Sequence, residues 1–122
     1  MSFDPGFVDR VAAAQEVEIE TRPSSGQTIR TVIWVVVDGG RVYVRSVRAD
    51  AGKWYRRLRA NPAGTLHVGG SAAAVSAVPV GDPAEIERVS QALRRKYARQ
   101  ASSLASMLRP ETLPTTTRLE PA

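Results

Sequence analysis

The chain has 122 residues, of which 43% are hydrophobic and 24% are charged, and this balance predicts one soluble globular domain, 1–122. It has no cysteine, which excludes disulfides and thiolate metal sites, and its longest apolar run is far too short to span a bilayer, so we expect a cytoplasmic protein with no membrane partner. The 17 Lys and Arg residues against 12 Asp and Glu residues give a net charge of +5, which predicts an anionic partner: a nucleic acid, a phosphate-bearing cofactor or an acidic metabolite.

The N-terminal third of the chain predicts one helix and two strands. Within the segment 1–14, Asp4-Pro5-Gly6 opens a short amphipathic helix over Phe7–Ala14. Val17–Thr21 alternates with a period of two, as a half-buried strand does. Thr28–Val37 is rich in β-branched residues and apolar on both faces near its end, which predicts a central strand.

A glycine turn and a second strand follow directly. Asp38-Gly39-Gly40 supplies the positive φ angles that a tight hairpin requires, so Arg41–Ser46 is predicted to return as the partner strand. Alternation along this strand places Tyr43 and Arg45 on one face and Ser46 on the other. The side chains of Arg45 and Ser46 therefore arrive together at the end of the strand.

The next element is a short basic helix. We expect Asp50 to cap a helix over 51–59, and Asn61-Pro62 to end it. Its basic residues are Lys53, Arg56, Arg57 and Arg59.

The second half of the chain predicts a hairpin, a longer helix and a last strand. Strands 65–68 and 72–80 flank the Gly69-Gly70 turn, and Asp82-Pro83 begins a helix over 83–100. A closing strand is predicted over 115–119. With the core strands in 15–80, the pattern is mainly β with flanking helices, and short antiparallel strands of this kind favour a small barrel because closure removes exposed edges.

The sequence identifies no catalytic residue and no metal site. His67 is the only histidine, so neither a nucleophile–base triad nor a zinc site can be assembled. We expect His67 to be a structural residue on its strand; a haem role would require it to face a pocket. The glycine pairs lie in hairpin turns and do not form a phosphate-binding loop of the Rossmann or Walker type.

One cluster of residues predicts an anion site. Arg45 and Ser46 converge with Lys53, Arg56 and Arg57 beside the start of the basic helix, where backbone N–H groups and the helix dipole favour a phosphate. The alternative is that the basic helix only presents a solvated face. The two tryptophans, Trp34 and Trp54, also have two interpretations: packing in the core or an interface, or stacking on a planar ligand.

The order of these elements resembles a known family. The residues that carry the resemblance are Ile19-Glu20-Thr21, Ser25-Gly26, Arg30 to Ser46, Gly52 to Ala60 and Asn61-Pro62. This ordered set of strand, glycine turn, strand ending in Arg-Ser, basic helix and Asn-Pro is similar to the FMN-binding split β-barrel proteins related to pyridoxamine-phosphate oxidase. It most resembles their small actinobacterial branch of flavin- and deazaflavin-dependent oxidoreductases.

The resemblance implies a six-stranded antiparallel split β-barrel, a homodimer, and a cofactor in a groove at the subunit interface. The cofactor would be FMN or the 5-deazaflavin coenzyme (factor 420). The segment from Arg30 to Trp34 would lie along its ring and supply backbone contacts to the polar edge of the ring, and Ser46 and the basic residues would approach its phosphate. The implied cofactor-binding residues are Arg30, Val32, Ile33, Trp34, Arg45, Ser46, Lys53 and Arg57. In such proteins the cofactor carries the redox chemistry, so no catalytic triad is expected.

Three functional hypotheses follow. The first is a flavin- or deazaflavin-dependent oxidoreductase that transfers a hydride to or from a small organic molecule. The second is a non-catalytic basic module that binds nucleic acid or another anion, although the chain has no recognised nucleic-acid-binding motif. The third is a dimeric scaffold that has lost its cofactor. Binding of a chromophore favours the first hypothesis, and a steep salt dependence of oligonucleotide binding favours the second.

Overall fold

The computed structural model describes residues 2–122, so Met1, at the start of the predicted N-terminal segment, lies outside the described residues. The α-helices are α1 (Pro5–Ala13), α2 (Lys53–Ala60), α3 (Pro83–Lys96) and α4 (Ala101–Met107). The strands are β1 (Val17–Thr21), β2 (Ile29–Ile33), β3 (Val36–Asp38), β4 (Arg41–Val44), β5 (Ala63–Val68), β6 (Ser71–Pro79) and β7 (Thr117–Pro121). Two 3₁₀ turns cover Ala49–Ala51 and Pro110–Thr115.

The strands form one curled antiparallel sheet in the order β2-β1-β5-β6-β7-β4-β3, which makes a half-barrel. The mainly β architecture with flanking helices is confirmed. The expected count of six strands is wrong, because the sheet has seven. Among residues 2–122, no helix has both the length and the apolar character needed to cross a membrane.

The seventh strand comes from a break in the segment predicted as one central strand over 28–37. The chain leaves the sheet at Trp34 and Val35, so its two halves become β2 and β3 at opposite edges of the sheet. The Val35 N–H donates to the Tyr97 hydroxyl at 3.1 Å, and Lys96 Nζ donates to the Val35 carbonyl at 2.8 Å. Side chains from the end of α3 thus replace the ladder bonds that Val35 would make in a continuous strand.

The hydrophobic core lies on both faces of the sheet. The larger cluster includes residues of α1 and α2 together with Val42 and Val44. The smaller cluster packs under α3 and α4 and includes Tyr43. Strand β4 is therefore buried on both faces, which explains why its alternation of residue types is weak, and Arg41 is its exposed residue.

Both predicted glycine hairpins are present. Gly39 and Gly40 adopt φ angles of 58° and 76° between β3 and β4, and Gly69 adopts 57° between β5 and β6. Helix α1 begins two residues earlier than predicted because Asp4 caps it and Pro5 occupies its first position.

Two helix predictions need correction. Asp50 does not cap the basic helix: it lies in the 3₁₀ turn before it, and Gly52 is the N-cap residue of α2. The helix predicted over 83–100 ends at Lys96, and Tyr97 turns the chain into α4, a second helix that the sequence pattern did not reveal. The small polar residues of α4 give no strong helical periodicity.

The closing strand also begins later than predicted, at Thr117 instead of residue 115. Thr115 belongs to the preceding 3₁₀ turn, where its hydroxyl accepts a bond from the Ser46 N–H at 2.9 Å. The Thr116 hydroxyl accepts from Arg45 Nε at 3.0 Å. These side-chain bonds hold the threonines in a turn that meets the end of β4.

Candidate functional site: a groove along the edge strand β2

Two adjoining cavities form a groove beside β2. The α2 chamber, of about 460 Å³, is lined by Ile29, Thr31, Val32, Ser46, Val47, Arg48, Gly52, Lys53, Trp54 and Arg57. The α4 chamber, of about 300 Å³, is lined by Glu16, Val32, Ile33, Trp34, Arg45, Val47, Trp54, Ser103, Ser106 and Met107. The two chambers share Val32, Val47 and Trp54, so they form one groove with a common middle.

The floor of the groove is apolar and open. The large hydrophobic side chains that remain exposed in residues 2–122 are Ile29 (41%), Val32 (55%) and Val47 (42%), and all three line the groove. Strand β2 pairs on one side with β1 and is an edge strand on the other. Clustered exposed apolar side chains next to unpaired backbone groups indicate a binding surface for a ligand or another protein chain.

Basic side chains stand at the α2 end of the groove. Arg48 and Lys53 are exposed, and Arg57 is half-buried with its Nε donating to the Thr21 hydroxyl at 2.6 Å. Gly52 gives α2 no side-chain cap, so the N–H groups of its first turn have no capping partner from that residue. Cations and free helix N–H groups together form an environment that favours an anion.

The cations around α2 have no acidic partners among residues 2–122. Within the part of the chain that the structure describes, no carboxylate oxygen lies within 4.0 Å of the charged nitrogens of Arg48, Lys53, Arg56, Arg57 or Arg59. Elsewhere, arginines do have acidic partners, as in Arg118 with Glu85 at 2.8 Å. The positive charge around α2 is therefore left uncompensated by the protein.

Two of the α2 cations point away from the groove. Arg56 Nε donates to the Asp50 carbonyl at 2.7 Å, and an Arg59 guanidinium N–H donates to the Tyr55 hydroxyl at 2.8 Å. Neither residue lines either chamber. Of the four basic residues of the helix, Lys53 and Arg57 are therefore the two that line the groove.

The α4 chamber has aromatic walls. The Trp34 indole stacks on the Tyr97 ring, with centroids 3.7 Å apart and planes 2° from parallel. The Tyr97 hydroxyl donates to the Gln15 carbonyl at 2.9 Å, which ties this stack to the end of α1. Burial removes the ammonium group of the adjoining Lys96 from water and lowers its pKa to about 8, and no carboxylate in residues 2–122 lies within 4.0 Å of it.

Arg45 is enclosed by the protein. Its side chain is 2% exposed, and besides Thr116 it donates to the Ser90 hydroxyl at 3.0 Å, the Met107 carbonyl at 3.3 Å and the Ile86 carbonyl at 3.1 Å. Burial lowers the pKa of Arg45 to about 10, so it stays charged at neutral pH. Its guanidinium group joins α3, α4 and the last 3₁₀ turn to the end of β4.

Ser46 is also buried, at the boundary between this cluster and the α2 chamber. Its hydroxyl donates to the Ala49 carbonyl at 2.8 Å and fixes the 3₁₀ turn. A Cβ atom on Gly52 would overlap this hydroxyl, so the close approach of the two residues requires glycine. Ser46 therefore fixes the position of the turn that precedes α2, in the wall of the α2 chamber.

The structure brings together seven of the eight residues that the sequence singled out. Val32, Ser46, Lys53 and Arg57 line the α2 chamber, and Val32, Ile33, Trp34 and Arg45 line the α4 chamber. Arg30 is the exception: it lines neither chamber, and its guanidinium pairs with Glu18 at 2.7 Å. Its backbone lies on the β2 edge strand, so a main-chain contact with a ligand stays a prediction.

Sequence reasoning missed several residues of the groove. These are Glu16, Ile29, Thr31, Val47, Arg48, Gly52, Ser103, Ser106 and Met107. Arg48 could have been added because it continues the basic run toward α2. The serines and Met107 lie on α4, which was not predicted, so no local signal placed them here.

His67 does not line the groove. Its Nε2 lies 2.7 Å from a carboxylate oxygen of Glu20 on the neighbouring strand β1. This contact is the main reason that the pKa of Glu20 is lowered. The histidine is engaged in a cross-strand pair.

Comparisons with known proteins place the chain in a family. Residues 7–119 match the model of a family described as "Uncharacterized protein conserved in bacteria (DUF2255)". The chain belongs to this family. No curated protein shows a significant match to the sequence.

Solved structures with a similar fold include three that span nearly their whole lengths. HutZ, the heme storage protein from Vibrio cholerae, is 13% identical with a TM-score of 0.68, covering 100% of this chain and 92% of HutZ. The F420-H2-dependent reductase FDR-A is 17% identical with a TM-score of 0.66, covering 87% of this chain and 94% of the reductase. A proposed pyridoxamine 5'-phosphate oxidase from Listeria innocua is 12% identical with a TM-score of 0.65, covering 96% and 90%. At these identities the similarity establishes the split-barrel fold.

Proposed function

We propose that this DUF2255 chain binds FMN or the 5-deazaflavin coenzyme in the groove along β2 and acts as a flavin- or deazaflavin-dependent oxidoreductase. The observation that carries the proposal is the division of the groove into an apolar middle and an end lined by unpaired cations. A flavin or deazaflavin has the matching division into a planar ring and a phosphate-bearing tail. The similar fold of FDR-A, an F420-H2-dependent reductase, supports the proposal.

The residues of the groove fit such a group. Lys53, Arg57 and Arg48 would hold the phosphate, and Val32 with Val47 would contact the ring system. When bound, the cofactor supplies the hydride chemistry. The chain's own residues bind and orient it, and the apolar middle of the groove excludes water from the ring.

The direct test is a titration of the purified protein with FMN and, separately, with the deazaflavin coenzyme, followed by cofactor fluorescence. We expect a dissociation constant in the micromolar range or tighter for one of them. Binding of neither cofactor would contradict the proposal. If a single-stranded oligonucleotide then binds with an affinity that falls steeply with salt, the unpaired cations serve nucleic acid instead.

We further propose that a second copy of the chain covers the groove, as the resemblance to split-barrel flavoproteins implies. Exposed Ile29, Val32 and Val47 beside an edge strand form the kind of apolar surface that dimers bury. Sedimentation should detect a homodimer at micromolar concentration, and Val32→Glu should weaken it by tenfold or more because a charge would be buried. A monomeric wild-type protein would overturn this assignment.

A further inference from the structure

The α4 chamber differs from the cofactor-sized α2 chamber in its lining. Its walls are formed by Trp34, Trp54 and Met107, and hydroxyl groups come from Ser103 and Ser106 on α4. The basic residues of α2 do not line it. A cavity of about 300 Å³ with these walls suits a small aromatic molecule that carries one polar group.

A buried positive charge at the wall of this chamber favours a polar group that is negatively charged. Arg45 lines the chamber, and its guanidinium donates to the carbonyl of Met107, which also lines it. All of its hydrogen-bond acceptors are neutral oxygens, and within residues 2–122 no carboxylate oxygen lies within 4.0 Å of it. The cation is held in a low-dielectric environment where its field is weakly screened.

The one acidic residue among the lining residues has a weaker influence. Glu16 is exposed, so water and salt screen its charge. Arg45, by contrast, is fixed by its four bonds and is almost fully enclosed. The net potential inside the chamber should therefore be positive.

We propose that the α4 chamber binds a small aromatic monocarboxylate, with its ring between the tryptophans and its carboxylate on the side of Arg45. Ser103 and Ser106 place hydroxyl groups at the same cavity, and the Ser106 hydroxyl donates to the Ser102 carbonyl at 3.3 Å. Calling this ligand the substrate rests on the proposed function. Its binding does not, because no cofactor atom takes part in the recognition described.

The test is a ligand series of constant shape and varying charge. The probes are 3-phenylpropanoate, 3-phenylpropanamide and 3-phenylpropylamine, added to the cofactor-free protein at fixed ionic strength. Both tryptophans of the chain line the chamber, so tryptophan fluorescence reports occupancy. Trp54 also lines the α2 chamber, so variants are needed to locate the bound probe. We expect the carboxylate to bind about tenfold more tightly than the amide, and the amine to bind most weakly.

Variants locate the binding. Ser106→Phe should fill the chamber and remove binding of all three probes, whereas Ser102→Phe, also on α4 but outside the lining, should leave it unchanged. Equal binding of acid and amide, or tighter binding of the amine, would overturn the proposal in the wild-type protein even if Ser106→Phe does not fold. Loss of the acid preference in Lys53→Gln/Arg57→Gln would also overturn it, by placing the carboxylate in the α2 chamber.

The same preparations separate this inference from the proposed function. Carboxylate binding in a protein that binds neither FMN nor the deazaflavin coenzyme supports the chamber assignment and contradicts the redox function. Cofactor binding without any preference for the carboxylate supports the proposed redox function and contradicts the chamber assignment.

Discussion

One arginine before Ser46 and three cations after it have opposite surroundings in the fold. Arg45 is enclosed, and neutral oxygens from three surrounding elements accept its hydrogen bonds. Arg48, Lys53 and Arg57 begin only three residues later, line an open groove and have no carboxylate partner among residues 2–122. Neighbouring basic residues in a sequence can thus lie in different environments: Arg45 is enclosed and joins elements of the fold, whereas the others are open to the groove.

The largest expected effect is on stability, at the enclosed cation. Arg45→Met removes four hydrogen bonds and leaves buried oxygens of Thr116 and Ser90 without their donor, so it should lower the free energy of unfolding by about 2–4 kcal/mol. Arg48→Met, at an exposed position, should change it by less than about 0.5 kcal/mol. Urea unfolding measures both. Equal losses of stability in the two variants would show that the enclosed Arg45 supports the fold no more than the exposed Arg48 does.

A smaller effect is expected at the boundary between the two regions. Gly52→Ala places a Cβ atom on the Ser46 hydroxyl, so it should destabilise the protein by about 1–3 kcal/mol. Ser46→Ala removes that hydroxyl together with its bond to Ala49, and the Gly52→Ala substitution should cost less in that background. The comparison is a double-mutant cycle measured by thermal or urea unfolding. Strict additivity of the two changes would show that the residues do not meet as described.

Much of the fold could be predicted from local sequence signals. The glycine pairs identified both hairpins, and Asp82 with Pro83 identified the start of α3. The run 28–37 was different, because its β propensity gives no sign that the chain leaves the sheet at Val35. That break depends on Tyr97 and Lys96, which are more than sixty residues away in sequence.

The candidate site was predictable to a similar degree. Lys53 and Arg57 were identified from the basic helix and the family resemblance, and they do line the groove. The enclosure of Arg45 could not be predicted, because its acceptors come from α3, α4 and a 3₁₀ turn that are distant in sequence. An arginine at the end of a strand has the same local signature whether it faces solvent or the protein interior.

The central claim is that the unpaired cations of the α2 chamber bind the phosphate of a flavin-type cofactor. The most direct measurement is calorimetric titration of FMN and of the deazaflavin coenzyme into Lys53→Gln/Arg57→Gln and into the matched variant Arg56→Gln/Arg59→Gln. Both variants lose two positive charges from α2, but only the first pair lines the groove. We predict that the first variant binds the cofactor about thirtyfold or more weakly than the wild type and the second within about threefold. Equal weakening in both variants would contradict the account, because it would reduce the site to a general effect of net charge.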